Sequence, residues 1–148
     1  MPDTFVVEAV DDDSEPVLLD TDVFSYLLKG PPASDPWIAL VEGKYHLLCF
    51  VTIAELLLWA ETHNWGQPRR DRLQAKMDTM TVLPYNEALM AEWARLVAAA
   101  RSDGHPLGAK AQANDAWIAA SARLYGVPLA TGNAAHYTGI DGLDLVKK

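Results

Sequence analysis

Apolar and polar positions along this chain fall into blocks with two different periods. Val17-Leu18-Leu19-Asp20 is an unbroken apolar run closed by an acid, the mark of a strand buried on both faces. Thr21–Lys29 follows, with Val23, Phe24, Leu27 and Leu28 on one helical face and Gly30-Pro31-Pro32 as a stop. Ser34 or Asp35 can cap the next short helix, with Pro36 in its first turn. Leu47–Val51 reads as a second strand, and Thr52 to about Asn64 and Gln67–Met80 read as helices. Val82-Leu83 is a short strand closed by Pro84. The helix over Asn86–Ser102 carries Leu89, Trp93, Leu96, Val97 and Ala100 on one stripe. Asp103 to Gly108 is a loop, and Asn114–Tyr125 is a helix stopped by Gly126. Val127–Thr131 and Leu143–Val146 are the last strands. Strands separated by helices predict an α/β fold whose parallel sheet is covered on both faces.

At 148 residues, half of them hydrophobic, the chain is one domain with a sizeable core. No apolar run approaches the roughly 20 residues of a membrane span, and the acidic N-terminus lacks a secretory signal pattern. Cys49 is the only cysteine and lies in an apolar run, so it is expected to pack as a small hydrophobe. These features point to the cytosol and to no membrane partner. The net charge of −8 is unevenly spread. Residues 1–16 hold six acids and no Lys or Arg, and residues 17–148 hold 14 acids and 12 bases. The first segment is expected to be a flexible acidic tail and the second a nearly balanced domain, so nucleic-acid binding is neither advertised nor excluded.

Three acids stand at element boundaries: Asp20, Glu55 in Thr52-Ile53-Ala54-Glu55-Leu56, and Asp115 in Asn114-Asp115-Ala116-Trp117-Ile118. Each has an ordinary structural explanation. Asp20 or Thr21 can cap the following helix. Thr52 and Glu55 have capping-box spacing. Asp115 falls in a first helical turn, where negative charge is favoured. Taken together, all three open onto one edge of a parallel sheet, and Thr131-Gly132-Asn133 joins them at the end of another strand. Carboxylates sharing a pocket repel one another, and a divalent cation relieves that conflict. Oxygen-only donors suit Mg²⁺ or Mn²⁺ rather than zinc. His46, His63, His105 and His136 are scattered and are read as surface or hydrogen-bonded residues.

Leu18-Leu19-Asp20-Thr21-Asp22, Thr52 to Leu56, Asn114 to Ala120 and Leu129 to Tyr137 occur in an order that resembles PIN-domain ribonucleases, most closely the VapC-type toxins of bacterial toxin–antitoxin pairs. The likeness runs from about Val17 to Val146. It implies a three-layer α/β/α fold with a central, mostly parallel sheet. It implies metal ligation by Asp20, Glu55 and Asp115, with Asp22 binding metal through water or taking a proton. It also implies supporting hydroxyls from Thr21 and Thr131, and a fourth polar position at Asn133. The implied activity is Mg²⁺- or Mn²⁺-dependent hydrolysis of RNA phosphodiesters, restrained by a cognate antitoxin, in a protein that pairs as a homodimer. The acidic tail departs from this pattern, and Asn133 adds no charge where the family also uses Asp.

Positive charge for RNA is densest at Arg69, Arg72 and Lys76, which share a helical face, with Lys110 in the loop before Asp115. Trp59, Trp65, Trp93 and Trp117 are read as core or dimer-interface residues, with Trp65, beside the arginines, as the exception. Two other readings remain. An Asp-x-Asp after a strand is also the start of an Asp-nucleophile phosphatase, although Phe24 is too large for that motif. A PIN-like module that binds RNA or protein without cutting it is the other.

Overall fold

The computed structural model describes residues 15–146. The expected tail therefore lies outside the described residues except for Glu15 and Pro16. The elements are β1 (Pro16–Leu19), α1 (Thr21–Lys29), α2 (Asp35–Val41), β2 (Tyr45–Leu48), α3 (Phe50–Thr62), α4 (Gln67–Met77), β3 (Thr81–Val82), α5 (Glu87–Ser102), α6 (Ala113–Tyr125), β4 (Leu129–Ala130) and α7 (Ala134–Tyr137). Two single 3₁₀ turns, Pro106–Gly108 and Lys110–Gln112, lie between α5 and α6.

All strand pairs are parallel, in the order β3-β2-β1-β4. Side chains of successive strand residues leave by opposite faces, and the core divides accordingly. Leu18, Leu47 and Leu129 pack with Leu89, Leu96, Val97 and Ala100 of α5 and Ala116, Ala119 and Ala120 of α6. Val17, Leu19, Leu48 and Ala130 face the other way, onto Val23 and Phe24 of α1, Trp37 and Val41 of α2, Leu56 of α3 and Leu73 of α4. These are the three layers that alternating strands and helices predict. The α5 helix starts where its sequence predicts, with Asn86 as cap accepting from the Leu89 amide at 2.9 Å.

Several boundaries differ from expectation. The run Leu47–Val51 crosses from strand into helix: β2 ends at Leu48, Cys49 is the N-cap of α3, and Phe50 and Val51 are helical. A continuous apolar run carries no period that marks such a junction. The second of the two middle helices, α4, stops at Met77 rather than Met80. The segment Leu143–Val146 adds one parallel bridge, Leu129 to Leu145, instead of a strand. Cys49 is buried as expected, its Sγ 3.4 Å from Ser121 Oγ, and burial pushes its thiol up to about 11. Among the described residues no helix is long and apolar enough to cross a membrane.

Candidate metal centre and nuclease site

The crevice between β1 and β4 is where this sheet changes its direction of winding. Beyond the strands' carboxyl ends, such a point leaves room for a ligand. Asp20 follows β1 and Thr131 follows β4. The register is fixed by backbone, because the Asp20 amide donates to Ala130 O at 2.9 Å. Asp20 is only 4% exposed. Its Oδ1 accepts from the Thr21 amide at 2.8 Å, so the capping explanation holds for one oxygen. Its Oδ2 accepts from Thr131 Oγ1 at 2.7 Å and from Tyr137 Oη at 3.1 Å. Desolvation outweighs these bonds. Burial, with the charges of Asp22 and Asp115 added, raises the Asp20 carboxyl from 3.8 to about 6.

Asp22 lies one residue into α1. Its Oδ1 accepts from the Val23 amide at 2.7 Å, and its Oδ2 from the Gly132 amide at 3.0 Å and Asn133 Nδ2 at 3.3 Å. Burial is the main cause raising this carboxyl, and the Asp115 charge adds to it. Gly132 is required by the close approach: a Cβ there would lie 2.6 Å from Asp22 Oδ2. Asp115, in the first turn of α6 as predicted, bonds through Oδ2 to His136 Nδ1 at 3.0 Å.

Glu55 does not form the expected capping box. Because α3 begins at Phe50, Thr52 is inside the helix and fully buried. Glu55 Oε1 instead accepts from Thr21 Oγ1 at 2.6 Å, and Thr21 Oγ1 lies 3.0 Å from Thr52 Oγ1. Thr21 thus joins Asp20, through its amide, to Glu55, through its hydroxyl.

The sequence did not single out Tyr137 or His136 for this site. Both belong to α7, a four-residue helix with no periodic signal. Tyr137 is 1% exposed, and burial with the adjacent Asp20 and Asp115 charges holds its phenol protonated, well above the ordinary tyrosine range. It is a permanent donor to Asp20. The scattered histidines otherwise make hydrogen bonds, His46 to Val41 O and His105 to Thr138 O.

Asp20 and Asp22, both raised by burial and by the nearby Asp115 charge, offer carboxylate oxygens, the donor type that a hard divalent cation takes. The side chains do not stand ready-made around one point. Among the described residues no three His, Cys, Asp or Glu side chains form a group able to hold an ion. Asp115 is turned to His136 and Glu55 to Thr21.

The basic residues separate into groups. Arg69 and Arg72 line one cleft, while Lys76 stands apart from it on the last turn of α4 and Lys110 is exposed in the turn before α6. Trp93 and Trp117 stack at 4.8 Å against the core, as read from sequence. Trp59 is 36% exposed and so lies outside the core.

The model of the PIN domain matches residues 17–138. The chain belongs to the PIN-domain family. No curated protein matches its sequence. Solved PIN-like structures do. A chain of VapBC2 from Rickettsia felis, bound to a promoter DNA fragment, is similar with a TM-score of 0.73 and 16% identity, over 88% of this chain and 96% of that one. A chain of FitAcB from Neisseria gonorrhoeae has a TM-score of 0.71 and 23% identity, over 88% and 96%. A chain of VapBC-1 from nontypeable Haemophilus influenzae has a TM-score of 0.66 and 25% identity, over 88% and 96%. The resemblance read from the four sequence motifs thus has its counterpart in the fold of this PIN domain.

Proposed function

We propose that this PIN domain is a divalent-metal-dependent endoribonuclease, the toxin of a toxin–antitoxin pair held in check by a cognate antitoxin. The observation that carries the reading is that buried Asp20 and half-buried Asp22 and Asp115 lie within electrostatic reach of one another at the winding switch between β1 and β4. The similar structures are of toxin–antitoxin complexes, which supports the partner. In this reading the chain pairs as a homodimer, as the family resemblance implies.

Asp20, Asp22 and Asp115 would hold Mg²⁺ or Mn²⁺, with Glu55 at the rim. When bound, the cation supplies Lewis acidity toward a phosphodiester and offsets the carboxylate charge. The chain's own groups do the positioning. Thr131 and Tyr137 fix one oxygen of Asp20, and the Thr21 amide fixes the other. The Gly132 amide and Asn133 hold Asp22, whose raised affinity for protons suits it to accept one from an attacking water. Asn133, lacking charge, serves as an orienting donor.

The test is cleavage of structured RNA in Mn²⁺ by the native chain beside Asp20→Asn and Asp115→Asn. Activity lost in both variants supports the nuclease. Equal cleavage by all three sinks it. The engagement of Asp115 with His136 and of Glu55 with Thr21 favours a second reading, a PIN-like module that binds without cutting. RNA binding by a native chain that never cleaves, with Mg²⁺ or Mn²⁺, would establish that one.

A further inference from the structure

A cleft of about 530 Å³ lies between α1, α3 and α4. It is lined by Lys29, Trp59, Trp65, Arg69 and Arg72, and no acidic side chain lines it. Among the described residues none of the three cations forms an ion pair. The nearby acids are already engaged: Glu61 with Arg70 at 2.9 Å and Asp71 with Gln67 at 2.7 Å. Arg70 is structural, because it also donates to the carbonyls of Trp65 and Ala60. Arg69 lies 3.9 Å over the Trp65 ring, which pre-orders its guanidinium and leaves its in-plane N–H donors free. Trp59 presents an exposed ring with no aromatic partner among the described residues.

Two of the helices that line the cleft also carry acids of the candidate site. Trp59 lies four residues after Glu55 on α3, on the same face and about 6 Å further along. Lys29 lies seven residues after Asp22 on α1, two turns and about 10 Å away. Uncompensated cations around an open indole face are the requirements of single-stranded nucleic acid: charge for phosphates and a π-surface for an unstacked base. A duplex keeps its base faces covered and cannot use Trp59.

We propose that this cleft binds a single-stranded segment of the RNA substrate. A base stacks on Trp59, and Arg69, Arg72 and Lys29 hold phosphates. The assignment rests on the nuclease reading for its choice of RNA. Binding and cleavage can fail separately.

The experiment is fluorescence anisotropy of a labelled oligouridylate and of an RNA duplex of equal length, on the full chain in EDTA, where metal-dependent cleavage is silent. Trp59→Ala is expected to weaken oligouridylate binding by about tenfold or more, with Trp59→Phe restoring most of it. Arg72→Glu and Lys29→Glu should each weaken it and lower the salt slope by about one. Thermal melts identify any variant that fails to fold, and the three positions, each on a different helix, keep the test open. Asp20→Asn in Mn²⁺ tests the nuclease reading separately. Its continued cleavage of RNA would defeat the nuclease reading while leaving the cleft assignment to the binding data.

Native-like oligouridylate binding by folded Trp59→Ala and Arg72→Glu would overturn the proposal. So would equal or tighter binding of the duplex. A self-association in sedimentation that disappears in Trp59→Ala, with RNA binding intact, would assign the cleft to a second copy of the chain. Oligoglutamate binding lost in Lys29→Glu, with RNA binding intact, would assign it to an acidic protein segment. Either result would also overturn the proposal.

Discussion

Replacing Asp20 with asparagine should stabilise the metal-free protein, and the gain should depend on pH in one direction. In the folded state its carboxyl is raised from 3.8 to about 6. Burial is the first cause, and the Asp22 and Asp115 charges add to it. A carboxyl raised on folding favours the folded state below its unfolded value and loses that contribution as pH climbs through the folded one. A shift of roughly two units corresponds to about 3 kcal/mol. Asparagine resembles the protonated acid in shape and does not ionise in this range. The two proteins should therefore melt together near pH 4. The variant should gain between about pH 4 and pH 6, and the gap should level off above about pH 7 at about 3 kcal/mol, or roughly 6–12 °C for a domain of this size. Circular dichroism melts in EDTA measure this. Millimolar Mg²⁺ should then raise the native melting temperature and leave the variant unmoved, a contribution of about 2.7 kcal/mol at a hundredfold excess over Kd. A gap that is absent at pH 8, or that narrows as pH rises, would refute the reasoning, because Asp20 would then ionise inside the fold without penalty.

Asp115→Ala should abolish RNA cleavage yet leave the metal-free melting temperature at pH 8 unchanged or higher, since it removes charge that opposes Asp20 and Asp22; a sharp fall would contradict this. Tyr137→Phe keeps the buried ring and removes a donor to the Asp20 carboxylate, so it should cost about 1–2 kcal/mol at pH 8 and less at pH 5, read by paired denaturant titrations. Gly132→Ala drives a methyl onto Asp22 Oδ2, a movable side-chain end, so cleavage should fall at least tenfold (about 1.4 kcal/mol) with little change in melting temperature. Glu92 on α5 is largely buried; burial disfavours its charge, but hydrogen bonds and charges from Arg123 and Arg95 win and hold its carboxyl below the usual range. Glu92→Gln should cost about 2 kcal/mol near neutral pH, a deficit that shrinks on acidification as the native carboxyl protonates, with RNA cleavage unchanged.

What could be read from the chain without coordinates follows from where its signals are strong. The β1–α1 junction is unambiguous because a buried strand meets an acid and then a helical face, and α1 spans the predicted Thr21–Lys29. The order of strands and helices, and hence the two-faced sheet, follows from the same alternation. Glu55 reaches Thr21 beside Asp20, rather than the Thr52 backbone that capping-box spacing suggested. Capping-box spacing depends on where a helix starts, and the apolar run from Leu47 to Val51 hides that start. Tyr137 was invisible for another reason. A phenol becomes a carboxylate's donor only through tertiary placement, and a four-residue helix has no pattern to announce it. Trp59 was read as a core or dimer-interface residue, and its partial exposure in the cleft rules out the first of these.

The short contacts around Thr21 have a directional consequence. A hydroxyl owns one hydrogen, and Glu55 Oε1 accepts it across 2.6 Å. The neighbouring hydroxyl at 3.0 Å must then be the giver: Thr52 points its own hydrogen at Thr21. The pair forms a one-way wire that ends on an acid at the mouth of the site, each link polarising the next. Valine at position 21 would break the wire at its middle and strand the Thr52 proton in a dry interior, so the two threonines succeed or fail as a unit.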